Sequence, residues 1–164
     1  MTSSITSVGV PREVKTAEHR VAMTPDGVRE LERHGIAVFV ETGAGDGASI
    51  TDDDYVAAGA EIVPTAADAW AQQMVVKVKE PKAEEFEYLR ADLTLFTYLH
   101  LAAYPAVADA LLASGTTSVA HYLDQHPEIF VCKPKEPNFF AFSEGFTPAA
   151  PVLVQIIFRN LTDL

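Results

Sequence analysis

The chain has 164 residues, the size of one domain, and its 48% hydrophobic and 21% charged residues fit a globular protein rather than a disordered one. Twelve Lys and Arg against 23 Asp and Glu leave a formal charge of −11, which argues against nucleic acid or an anionic membrane surface as partner. It leaves room for a small anion, because a pocket needs only two or three local cations.

The opening MTSSITS lacks the charged and apolar regions of a signal peptide, so residues 1–6 read as a disordered tail and the cytoplasm is the expected location. Residues 8–11 form a short strand. Thr24-Pro25-Asp26 opens a helix, with Thr24 as cap and Pro25 in the first turn, and Gly35 ends it. A β-branched and aromatic strand covers 36–41, and the glycine-rich ETGAGDGAS follows. Thr51 starts a second helix with three acids at its positive end, stopped by Gly59. Residues 61–63 are a brief strand, and Thr65 caps a short helix through Trp70. MVVKVK is the next strand, 83–90 a helix with Phe86 and Leu89 inward, 93–99 a strand, 104–114 a helix and 116–122 a sixth strand. No apolar run approaches the ~20 residues of a membrane-spanning helix.

Strand and helix in alternation imply parallel strands joined by crossover helices. The expected fold is α/β: an open parallel sheet with helices on both faces, a Rossmann-like three-layer sandwich, over residues 7–123. Residues 124–164 read as an irregular C-terminal tail, since the stretch from His126 to Pro151 holds five prolines and five phenylalanines without helical periodicity. Residues 152–158 are apolar enough for either a strand or a helix. The only cysteine, Cys132, excludes an internal disulfide and reads as a small, partly buried side chain.

Open α/β sheets bind ligands beyond the carboxyl ends of their strands. Three side chains fall there: Arg20 after the first strand, Lys79 at the end of MVVKVK, and His100 after TLFTYL. A guanidinium can grip a carboxylate with two hydrogen bonds, an ammonium supplies a point charge, and an imidazole suits proton transfer near neutrality. Together they describe a site for a small 2-oxo or 2-amino acid. The plainer reading of each is a solvated arginine, a polar strand face shared by Lys77 and Lys79, and a structural histidine.

The glycines of ETGAGDGAS stand between a strand and a helix but lack G-x-G-x-x-G spacing, so Gly43, Gly45 and Gly47 are expected to serve a tight loop. No cofactor-binding residue is assigned. Five histidines and one cysteine show no metal-ligand spacing, and no metal site is expected.

The strings VGVPREVKTAEHRVAMTPDGVRELERHG, ETGAGDGASITDDDYVAAGAEIV, VVKVKEP and LFTYLHLAAYPAVADALLASGTTSVA resemble, in unbroken order over about residues 7–120, the amino-terminal part of the alanine dehydrogenase and proton-translocating transhydrogenase family. KVKEP with Lys79, and a histidine after the fifth strand, matched by His100, are similar to the alanine dehydrogenases. Transhydrogenases generally lack both, because their hydride passes between two nucleotides. Saccharopine dehydrogenase of the lysine-forming type, with a comparable arginine, lysine and histidine, is a more distant alternative. The resemblance implies oxidative deamination: L-alanine, NAD and water give pyruvate, ammonia and NADH. It implies that Arg20 and Lys79 hold the pyruvate carboxylate and carbonyl and that His100 is the acid/base. In the family the NAD fingerprint and a catalytic aspartate lie in a second domain, beyond about residue 130. That domain is not recognisable here, so the chain is expected to be truncated, to bind NAD weakly and to turn over little by itself. A homo-oligomer is a possible assembly.

The segment SGTTSVAHYLDQHPEIFVCKPKEPNFFAF, about residues 114–142, also resembles the start of a nucleotide-dependent sulfotransferase. Ala113 stands where that family has a donor-binding lysine, and Glu136 matches a glutamate that serves as base in some members. Two resemblances meeting at one short string imply a chimeric reading frame, with a sulfotransferase-related fragment or a non-catalytic folded remnant as alternatives. The tail phenylalanines are then expected to pack loosely or to drive self-association.

Overall fold

The computed structural model describes residues 5–121, 129–132 and 141–142. β1 (Ser7–Val10) leads through a long loop to α1 (Pro25–Arg33), where the Thr24 hydroxyl accepts from the Gly27 N–H. After β2 (Ala37–Glu41) and the glycine-rich loop comes α2 (Asp52–Ala58), closed at its start by reciprocal hydrogen bonds between Thr51 and Asp54. Then follow β3 (Glu61–Val63), α3 (Ala66–Trp70) capped by Thr65, β4 (Met74–Lys79), β5 (Thr94–Tyr98), α4 (Pro105–Ser114) and β6 (Thr117–His121).

The strands form one sheet in the order β3-β2-β1-β4-β5-β6, all parallel, as the alternating pattern predicts. Neighbouring residues of a strand feed opposite faces. Val8, Val10, Met74, Val76, Phe96 and Val119 join Val28, Leu31 and Tyr55 of α1 and α2 in one buried cluster. Val75 and Leu95 join Trp70, Leu89, Val107 and Leu111 in the other. Helices therefore cover both faces. Gly9 is where the second layer comes closest: a Cβ there would lie 1.9 Å from the Ala69 carbonyl oxygen, so α3 can rest on β1 only because residue 9 has no side chain.

Several expectations change. Residues 83–90 form a 3-10 helix, Ala83–Tyr88, rather than an α-helix. Glu85 turns inward, caps the Lys82 N–H and meets Lys77, which tightens the turn. Lys77 is fully buried rather than solvated: its ammonium bonds Glu85, lies 3.8 Å from Glu13 and sits over the Trp70 ring. Order begins before residue 7, because the Thr6 N–H donates to Gln73 and Ile5 packs on the core.

The sulfotransferase resemblance of 114–142 implies a nucleotide-binding loop at its opening SGTTS, and the direction of the chain speaks against one. Such a loop opens a helix, whereas here Ser114 ends α4 and Thr117 begins β6. The Ser114 and Thr116 hydroxyls bond each other and the Leu111 and Arg90 carbonyls. Past β6, the expected irregular tail contributes β7 (Ile129–Cys132) and β8 (Ala141–Phe142), both antiparallel. An edge strand offers unpaired backbone groups that a following segment can use without any side-chain pattern. Cys132 falls in β7, while Glu136, Phe139, Phe140, Phe146 and 152–158 lie outside the described residues. Among the described residues, no helix is long and apolar enough to cross a membrane, and no His, Cys, Asp and Glu cluster suits a metal ion.

Candidate functional site

The strand order reverses between β1 and β4: the chain leaves β1 toward β2 and leaves β4 toward β5. Ligand crevices of open α/β sheets form at such a point, outside the carboxyl ends of the strands. β1 and β4 pair only through Val8↔Met74 and Gly9↔Val75, so their carboxyl ends diverge. Glu13, in the loop after β1, fills the gap. Its carboxylate accepts from the Val78 N–H at 2.6 Å and the Lys79 N–H at 3.2 Å. Burial raises the Glu13 pKa against the opposing pull of Lys77 and these two amides.

The rest of that loop carries charge to the same rim. Arg20 is 47% exposed in its side chain, and Glu18 holds it from Nε to Oε1 at 2.8 Å and from Nη2 to Oε2 at 2.6 Å. The hydrogen bonds from Arg20 outweigh burial and bring Glu18 down to about 2, with the Lys79 ammonium adding to the effect. Arg20 in turn acts on Tyr98 at the end of β5, where burial raises the phenol and the guanidinium opposes it. Beyond Arg20 the chain is anchored: Val21, Ala22 and Met23 are buried, and the Tyr55 hydroxyl donates to the Met23 carbonyl at 2.6 Å.

Lys79 is half-buried at the tip of β4; its N–H bonds Glu13 and its carbonyl accepts from the Thr97 hydroxyl. His100, two residues past β5, has a left-handed backbone (φ 45°) inside a turn closed by the Ala103 and Tyr104 N–H groups onto its carbonyl. Its ring reaches back to Glu80 with Nδ1 3.2 Å from Oε2. The other Glu80 oxygen accepts from Lys15 Nζ at 2.7 Å, and Lys15 also donates to the Tyr104 hydroxyl at 3.2 Å.

Glu18 thus binds Arg20 directly and feels the Lys79 charge, while His100 is bonded by Glu80, the residue that follows Lys79 in the chain. Glu13, Lys15, Glu18 and Glu80 were missed in the sequence. The signal was present: two acids and a lysine lie between β1 and Arg20, and an acid follows Lys79, on connections that flank the reversal of strand order.

The glycine-rich loop does not fit a dinucleotide. A Cβ on Gly45 would lie 2.5 Å from the Ile50 carbonyl oxygen, and one on Gly47 would lie 2.5 Å from that of His19. The Gly43 N–H is taken by Asp52 at 2.9 Å. The open space at these glycines is filled by the chain itself, and a carboxylate occupies the amide that a phosphate would need.

Residues 9–125 match the family model for the alanine dehydrogenase/PNT N-terminal domain. An alanine dehydrogenase of Mycolicibacterium smegmatis is 53% identical over 122 residues, 74% of this chain and 33% of the relative. One from Bilophila wadsworthia is 50% identical over 157 residues, 96% of this chain and 37% of the relative. That alignment leaves too few residues outside it to spare 114–142, so the sulfotransferase likeness and the chimeric frame lose their support. Among solved structures, an L-alanine dehydrogenase superposes with a TM-score of 0.69 at 50% identity, over 70% of this chain and 32% of that one. A transhydrogenase from Sinorhizobium meliloti superposes with 0.66 at 32% identity, over 70% and 34%. The chain spans about a third of the length of these relatives. It belongs to the alanine dehydrogenase/PNT N-terminal domain family.

Proposed function

We propose that this chain forms the substrate-holding part of an L-alanine dehydrogenase, which takes L-alanine, NAD and water to pyruvate, ammonia and NADH. Arg20 grips the carboxylate of the 2-oxo or 2-amino acid. Lys79 lies against the carboxylate and the carbonyl oxygen and stabilises negative charge there. His100 takes or gives a proton at the carbonyl and imine stages. NAD is the hydride acceptor the family implies, and the glycine-rich loop of this chain does not suit it.

The observation that carries the proposal is the Glu18–Arg20 pair. A carboxylate already sits on the guanidinium with two hydrogen bonds, the Lys79 charge acts on the same carboxylate, and a second carboxylate holds the His100 imidazole, which supports a site for a small acid. A transhydrogenase-type role leaves Lys79 and His100 without an amino acid to serve. Isothermal titration with pyruvate tests the assignment: binding by the chain and its loss in Arg20→Ala are expected. Undiminished binding by Arg20→Ala would remove the basis of the proposal.

A further inference from the structure

Glu80 has no place in the three-residue site, yet it is 1% exposed and its two oxygens are divided between Lys15 and His100. The Lys15 ammonium can only donate, and it occupies Oε1 while resting over the Tyr104 ring. That leaves Oε2 for the imidazole. We propose that Glu80 is a positioning residue that fixes neutral His100 as the Nδ1–H tautomer and keeps Nε2 as the proton-accepting edge at the crevice. This deepens the reading of His100 as the acid/base and rests on it.

Three features favour this role. Burial pushes the Glu80 carboxyl up, but the hydrogen bonds from Lys15, its own backbone and His100 outweigh burial and hold it below the ordinary range. Glu80 is therefore a carboxylate at neutral pH and accepts only, so the proton of this hydrogen bond belongs to Nδ1. The His100 side chain is 44% exposed although its Nδ1 edge faces a buried group, so the exposed edge is the one carrying Nε2. The left-handed turn at His100 sets where the ring starts, and Glu80 sets how it is rotated. Lys15 is needed as well, because without it the buried carboxylate would keep only one strong donor.

Long-range nitrogen–proton NMR correlations of the full 164-residue chain read the tautomer, about two pH units above the ordinary imidazole value of ~6.5. The His100 resonances are identified by their loss in His100→Gln. The wild-type ring is expected to carry its proton on Nδ1. In Glu80→Gln the amide oxygen stays with Lys15 and the amide NH2 turns toward His100, so the proton is expected to move to Nε2. A wild-type ring protonated mainly on Nε2 would overturn the proposal without any variant. So would a folded Glu80→Gln chain, judged by its amide spectrum, that keeps the proton on Nδ1. Adding pyruvate to the same sample reads the substrate assignment separately. A ring with Nδ1–H and no response to pyruvate upholds the positioning role of Glu80 and overturns only the substrate.

Discussion

Glu18 and Arg20, two residues apart, face each other as carboxylate and guanidinium in a two-point hydrogen bond. The pair has the shape of the complex expected with the substrate, with a side chain in the place of the ligand. Under the proposed function, a keto acid bound at Arg20 displaces Glu18 or shares the guanidinium with it. Glu18→Gln should tighten pyruvate binding by about two- to fivefold, in keeping with the roughly 0.5–1 kcal/mol that a partly exposed pair is worth. Titration calorimetry checks this, and weaker binding would mean that Glu18 helps to hold the acid.

The same carboxylate predicts a pH dependence. Its folded-state pKa of about 2 lies below the ordinary 4.5, so its contribution to stability is present above about pH 4.5 and is lost as pH falls through about 2. Glu80 shifts in the same direction and adds to the loss. Glu13 is raised and works the other way, favouring the folded state as it takes up a proton. Urea midpoints measured between pH 5 and pH 2 should fall less steeply for Glu18→Gln than for the wild type.

Lys77 is the only described cation within reach of the buried Glu85 carboxylate. Lys77→Met keeps much of the side-chain length but leaves that carboxylate unpaired, so a loss of about 3–5 kcal/mol is expected. The double variant Lys77→Met with Glu85→Leu should recover part of it. Chemical denaturation of the three proteins decides, and equal stability of wild type and Lys77→Met would show that the pair is dispensable.

Gly9→Ala would drive a methyl group into the Ala69 carbonyl on α3. Neither backbone can give way cheaply, and a cost of about 2–3 kcal/mol or more is expected. A thermal melt of the variant tests this directly.

Assayed alone, the 164-residue chain should show no alanine-dependent reduction of NAD. The glycine-rich loop is closed by its own backbone and by Asp52. Turnover in that assay would show that a nucleotide is held by other residues of the chain.

The sheet was legible because its signals are local. Alternating apolar runs, threonine caps at residues 24, 51 and 65, and glycines at helix ends each act within one turn or one strand. The sequence placed Lys79 at a strand end, His100 just past one and Arg20 in the loop after the first strand, and the structure has them at those positions. Glu18, only two residues from Arg20, was within local reach and was still passed over, whereas pairs such as Lys15 with Glu80 or Glu13 with the Val78 amide join residues more than sixty positions apart and leave no local trace. Lys77 misled for a related reason: period two puts it beside Lys79, but the inward turn of Glu85 decides that it is buried. SGTTS misled because a short string does not carry the direction of the elements around it.

The forked ends of β1 and β4 make the region a pair of jaws with a strut. The arginine follows one arm and the lysine ends the other, and Glu13 ties the two together through the Val78 and Lys79 amides. The spacing of the two arms is thus written into a buried carboxylate rather than into either of the cations they carry.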